Sequence, residues 1–116
     1  MQLMTKEIED ALKKHPFMSQ DGKGGKAKVI VKYFGGPAAT WLITEGKPMP
    51  RGDWILYGLV TLGLPDQFSR GNLLWEWGTV TLHELQEAMF IERDLSVKPC
   101  KQAVKDLVFM CSLFED

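Results

Sequence analysis

The chain has 116 residues, 45 % of them apolar, which is one domain by length with enough apolar content for a core that needs neither disulfide nor metal. A net charge of −1, from 14 Lys and Arg against 15 Asp and Glu, argues against a binder that works mainly by neutralising phosphates and against an acidic mimic of DNA. The charge is uneven, with 8 basic and 5 acidic side chains in residues 1–47 and 6 and 10 in residues 48–116.

The N-terminal stretch MQLMTKEIEDALKK is charged and has no apolar h-region, and no run approaches the roughly 18 apolar residues of a membrane span. A cytoplasmic location without membrane contact is the expectation. Thr5 is placed to cap a helix from Lys6 to about Lys14, with Ile8, Ala11 and Leu12 on one face and His15-Pro16 ending it. MSQDGKGGK reads as a loop. AKVIVKYF alternates Val29, Val31 and Tyr33 against Lys28, Ile30 and Lys32, so Lys28 and Lys32 are expected to point outward from a strand.

GGPAA at 35–39 turns the chain, and TWLITEG reads as a strand with Trp41, Ile43 and Glu45 on one face. After the loop GKPMPRGD, the run WILYGLV is apolar on both faces and belongs in the centre of the sheet, with Gly58 where something approaches the backbone closely. TLGLPDQFSRGN reads as a longer loop. LLWEWGTV returns as a strand, with Leu73, Trp75 and Trp77 on one face and Leu74, Glu76 and Val80 on the other.

Thr81 and Glu84 form a capping box, so a helix starts at Leu82 and buries Leu82, Leu85 and Met89, while His83 and Glu87 face outward. FIERDLSV (90–97) reads as a strand. Pro99 suits the first turn of a terminal helix over about 99–114, with the stripe Cys100, Val104, Leu107, Cys111 and Phe114. The order α-β-β-β-β-α-β-α, with short loops between strands, predicts an α+β domain. It has an antiparallel or mixed sheet of about five strands, three helices and the helices on one side.

No residue set specifies a reaction. Cys100 and Cys111, eleven residues apart on one predicted helix, are separated by about 16 Å, too far for a disulfide or a shared metal. GKGGKAK superficially resembles a phosphate loop but lacks the Lys-[Ser/Thr] ending and leads into a strand. His83, Glu84 and Glu87 lack the second His of a zinc motif, so no metal and no cofactor is expected. The sharpest signal is phase. Glu45, Glu76 and Arg93 each share a face with apolar residues, which predicts that Arg93 pairs with Glu45 or Glu76 in an inward polar seam that also includes Asp94.

The blocks VIVKYF, WLITEG, YGLV, EWGTVTLHELQ and IERDL, in that order, resemble the small bacterial proteins grouped as domain of unknown function 2958, over roughly residues 2–98. The most specific are Glu76, Gly78, Thr81, Leu82, Glu84 and Leu85, and Ile91 to Leu95. The resemblance implies an association with plasmids, integrative elements and phage-like islands. It brings no catalytic residues, and the C-terminal helix is read as running past the family's core.

The leading functional reading is a non-catalytic accessory or protein-interaction module with an unknown protein partner. Its candidate contact loops carry Arg51, Asp53, Gln67 and Arg70. The alternative is a nucleic-acid binder using Lys23, Lys26, Lys28 and Lys32, with Trp75 or Trp77 for base stacking. The second alternative is a small enzyme with Glu45, Glu76, Arg93 and Asp94 as its pocket.

Overall fold

The computed structural model describes residues 2–36, 38–88 and 90–114. Its first helix, α1 (Lys6–Lys13), begins as the sequence predicts, with the Thr5 hydroxyl accepting from the Ile8 amide at 3.2 Å, and it buries Ile8 and Leu12. The strands that follow are β1 (Lys28–Val29), β2 (Val31–Gly35), β3 (Ala39–Pro48), β4 (Trp54–Pro65) and β5 (Leu73–Thr81). Helix α2 (Leu82–Glu87), β6 (Ile91–Arg93), β7 (Gln102–Ala103) and the single turn α3 (Val104–Leu107) complete the domain.

Five strands form one antiparallel sheet in the order β5-β4-β3-β2-β6, and β1 pairs separately with β7. The fold is therefore α+β. The middle strand is β3 rather than WILYGLV, which lies one place towards the β5 edge. Gly58 of β4 is where the sequence places a close approach: a Cβ there would run into the Leu42 carbonyl oxygen of β3.

Each face of the sheet carries its own core. On the first face, Val31, Tyr33, Ile43, Trp54 and Leu56 pack against Leu3, Met4, Ile8, Leu12, Leu82 and Leu85 from the N-terminal segment, α1 and α2. Gly46 lets α1 settle on β3, since a Cβ there would stand 2.8 Å from Leu12 Cδ2. On the second face, Leu42, Leu59 and Trp75 pack against Ala27, Val29, Val97 and Val104. Helices thus cover both faces, α3 lying opposite α1 and α2, because the 26–29 segment and the C-terminal residues need the second face for their own apolar side chains.

Four boundaries depart from the sequence reading. The single strand read through AKVIVKYF is broken at Ile30 into β1 and β2, so Val29 packs on the second core while Ile30, Val31 and Tyr33 pack on the first. The strand β4 runs on through Pro65, so the loop after it spans only 66–72. The strand read over 90–97 is only β6, because Asp94 turns the chain: its Oδ1 accepts from the Ser96 amide and hydroxyl at 2.9 and 2.6 Å. Leu95 is accordingly exposed, and Val97 enters the second core.

The helix expected over 99–114 is reduced to α3. Cys100 and Met110 adopt positive φ (61° and 47°), which no helix accepts, yet Leu107, Cys111 and Phe114 still pack on the second core along an irregular path. Cys100 packs on the first core and both thiols are free. Met89, expected on the buried face of α2, lies outside the described residues.

Candidate functional site

A bulge in β3 decides where the site lies. The pairing of β3 with β4 shifts register between Ile43 and Glu45, so Ile43 stands opposite Gly58 while Glu45 stands opposite Tyr57. One extra residue inverts the alternation. Glu45 therefore leaves the face of Trp41 and Ile43 and joins the second face, 3 % exposed. Its two oxygens accept from the amides of Met18 (2.8 Å) and Gln20 (3.0 Å), which pins the 16–23 segment against the sheet.

Gln20 completes that anchor. Also 3 % exposed, it donates from Nε2 to the Lys28 and Thr44 carbonyl oxygens (2.9 and 2.7 Å) and accepts from the Lys28 amide at 2.6 Å. The side-chain amide pairs with the Lys28 backbone as a neighbouring strand would. The segment that composition marks as a plain loop is thus held by five hydrogen bonds to Glu45, Thr44 and Lys28, in residue types that sequence spacing cannot link.

Above Glu45 lies a cleft of about 290 Å³ lined by Gln20, Asp21, Glu45, Tyr57 and Trp77. The Tyr57 and Trp77 rings stack with centroids 5.8 Å apart and planes 15° from parallel, and Phe17 meets Tyr57 edge-on at 6.5 Å. Burial, and the negative charges of Glu45 and Asp21, hold the Tyr57 hydroxyl above its ordinary pKa.

The other face of the same edge is open. A groove of about 340 Å³ is lined by Trp41, Val60, Leu62, Leu64, Leu74 and Val80, with Trp77 at its rim. Leu62, Leu64 and Leu74 are exposed, while Trp41 and Val80 line the groove where it borders the first core. Strand β5 pairs with β4 on one side only. Along 74–80 no backbone group bonds to any other described residue on the other side.

The expected seam does not assemble. Arg93 lies opposite Tyr33 at the β6 edge and donates from Nε to the Gln2 carbonyl oxygen at 3.1 Å. Glu76 is exposed on β5, four strands away, roughly 19 Å at the usual strand spacing. The bulge puts Glu45 on the opposite face from Arg93. Asp94 pairs with Lys32 at 3.4 Å, and the Ser96 hydroxyl and amide bonds, helped by Lys32, hold its carboxyl below the usual range against the opposing effect of burial. The four residues therefore share no pocket.

The candidate loops do not form one surface either. Arg51 precedes β4 whereas Gln67 and Arg70 follow it, and twelve extended residues separate them by roughly 35 Å. All three are exposed. Asp53 is structural: its Oδ1 accepts from the Trp54 amide (2.8 Å) and the His83 amide (2.9 Å). Desolvation would raise its pKa, but these bonds and the nearby imidazole outweigh that and lower it. His83 faces Asp53 Oδ2 at 3.5 Å rather than standing free beside Glu87, while the capping box forms as read, with bonds of 3.0 and 3.1 Å.

Of the lysine patch, Lys23, Lys26 and Lys28 are exposed, whereas Lys32 is half-buried beside Asp94 instead of pointing outward. Trp75 is buried, its Nε1 donating to the Phe109 carbonyl oxygen at 2.9 Å, and offers no face for a base. A contact that the sequence reading missed joins His15 Nε2 and Cys100 Sγ at 3.4 Å. Burial raises the Cys100 thiol's pKa, and burial together with Lys23 and Lys14 lowers that of His15, despite the pull of Glu45. Both shifts favour the neutral forms, the reverse of the shifts that activate a thiolate–imidazolium pair.

Among the described residues no three His, Cys, Asp or Glu side chains are placed to hold a metal, and no helix is long and apolar enough to cross a membrane. The family described as "Protein of unknown function (DUF2958)" matches residues 3–109. The chain belongs to that family. The match runs past residue 98, so β7, α3 and the residues up to 109 that cover the second core lie within the family's span rather than beyond it. No curated protein and no solved structure matches the chain.

Proposed function

We propose that this DUF2958 domain is a non-catalytic protein-interaction module that takes an extended segment of a partner protein along strand β5. The observation that carries this reading is the open side of β5. Its nine residues carry a single charge, Glu76, and lack the proline or row of lysines that usually blunts a free edge. Outward N–H and C=O groups call for backbone groups in return, which an extended polypeptide supplies. Alternate side chains of such a segment would enter the groove beside Leu64 and Leu74, so its sequence should be apolar at every second position. In the mobile-element setting that the family resemblance implies, the domain would act as an accessory to another protein.

The test uses synthetic decapeptides with Leu or Val at alternate positions. Wild-type protein is expected to bind a subset of them. The pair Leu64→Lys and Leu74→Lys, both at exposed positions, should weaken that binding at least tenfold, whereas Arg51→Ala, Gln67→Ala and Arg70→Ala together should leave it unchanged. The reverse pattern would move the contact surface to the loops. Pairing of β5 with β5 of a second copy would appear as a concentration-dependent dimer in sedimentation, and would replace the partner segment with the chain itself.

A further inference from the structure

Beyond the β5 edge, the cleft on the second face has the chemistry of a cation site. Glu45 brings a carboxylate to its floor, and Asp21 stands exposed at its rim. Among the described residues neither carboxylate has a Lys, Arg or His nitrogen within 4 Å. The wall is aromatic, with the Tyr57 and Trp77 rings stacked and the edge of Phe17 turned to Tyr57. Lys23 lies in the segment that borders the cleft, but it is exposed and makes no ion pair among the described residues.

We propose that the cleft formed by Asp21, Glu45, Tyr57 and Trp77 binds the guanidinium or ammonium head of an organic cation. Ring faces carry negative electrostatic potential, and a cation that leaves water between rings and carboxylates gains from both. An anion would meet the negative charge of both carboxylates, and a purely apolar ligand would leave the Asp21 oxygens facing it, those of Glu45 already accepting from the Met18 and Gln20 amides. Burial first, and then the negative charges of Glu45 and Asp21, raise the pKa of the Tyr57 hydroxyl. The aromatic wall discriminates against small inorganic cations, whose tightly held hydration shells gain little from ring faces, and among organic ones favours the more weakly hydrated guanidinium over an ammonium.

The test titrates the full chain with Nα-acetyl-arginine amide and with its neutral isostere Nα-acetyl-citrulline amide, following indole fluorescence and, in parallel, heat. Saturable binding of the arginine compound is expected, weakening as salt is added, with none for the citrulline compound. Asp21→Asn should weaken it by roughly threefold and Tyr57→Leu by roughly tenfold, both with the unfolding midpoint monitored. The β5-groove pair Leu64→Lys and Leu74→Lys should leave it unchanged, so failure of this site and failure of the strand-docking reading are separable.

Equal response to the two compounds, no saturation by about 50 mM, or folded Asp21→Asn and Tyr57→Leu variants that bind like wild type would each overturn the assignment. The same arginine within a Gly/Ser hexapeptide identifies the source of the cation. Tighter binding of the peptide assigns the cleft to a protein side chain, and equal binding assigns it to a free small molecule.

Discussion

Replacing Gln20 with Met keeps the side chain's length and removes its amide, and the structure sets the size of the effect. Three hydrogen bonds disappear, to the Lys28 carbonyl, the Lys28 amide and the Thr44 carbonyl, at 2.9, 2.6 and 2.7 Å. At about 1 kcal/mol net for each neutral bond, the loss is about 3 kcal/mol. Orphaned backbone groups would add to this, most of all the Thr44 carbonyl, while the apolar chain would return part of it by burial. The expected cost of Gln20→Met is therefore about 3 kcal/mol, a large share of the 5–15 kcal/mol that holds a typical domain together. Urea unfolding followed by tryptophan fluorescence measures it directly: the midpoint should fall with an unchanged m value. A loss below about 1 kcal/mol would refute the reasoning, because it would mean that the 16–23 segment is not held through this amide.

Gly58→Ala should cost more than about 3 kcal/mol or abolish folding, since the added methyl meets backbone rather than a flexible side chain; thermal unfolding that matches wild type would show that β3 and β4 separate easily at the bulge. His15 is expected to make stability fall on the acid side. Its folded pKa lies below the ordinary 6.5, so the unfolded chain takes up the proton first. Stability is then full above about pH 6.5 and declines between there and the folded value. Urea midpoints of wild type and His15→Asn at pH 7.5 and 5.5 check this: the gap between the two pH values should narrow in the variant, and an unchanged gap would assign the acid loss to other groups.

The elements with local signals were legible. Thr5 with its apolar stripe gave α1 within one residue, Thr81 and Glu84 placed α2, and the alternation of Leu73, Trp75 and Trp77 against Leu74, Glu76 and Val80 gave the two faces of β5. What failed needed tertiary knowledge. The bulge before Glu45 is visible only once β3 lies against β4, and it alone turned a correct inference, that this carboxylate is drawn inward, into a wrong partner. Leu95 and Val97 depart from their expected face because the strand does not continue past Asp94. The C-terminal stripe has helical spacing, yet only Val104 and Leu107 reach the core from a helical turn and the rest arrive along an irregular path, because periodicity records which residues are buried and not the path that buries them.

Half of the site was readable in the same way. Glu45 as an inward acid and Trp77 in phase with Trp75 follow from alternation, but the contribution of Phe17, Gln20 and Asp21 does not. These residues lie in a stretch whose composition marks it only as a turn, and the groups that fix it lie between 8 and 27 positions along the chain. The open groove on the first face was likewise hidden, since Leu74, which shares its face with the partly buried Val80, is exposed only once the strands are placed.

The register shift in β3 gives that strand something like a reading frame. Before it, odd-numbered side chains serve the layer under α1; after it, they serve the layer under the C-terminal segment. Removing one residue at Thr44 would return Glu45 to the helix-covered layer and strip the 16–23 segment of its acceptors. Lys47 would follow Glu45 across the sheet. A change of length there would undo this arrangement, so the existence of the cleft depends on the residue count of β3 as well as on the small, fully buried residue at its bulge.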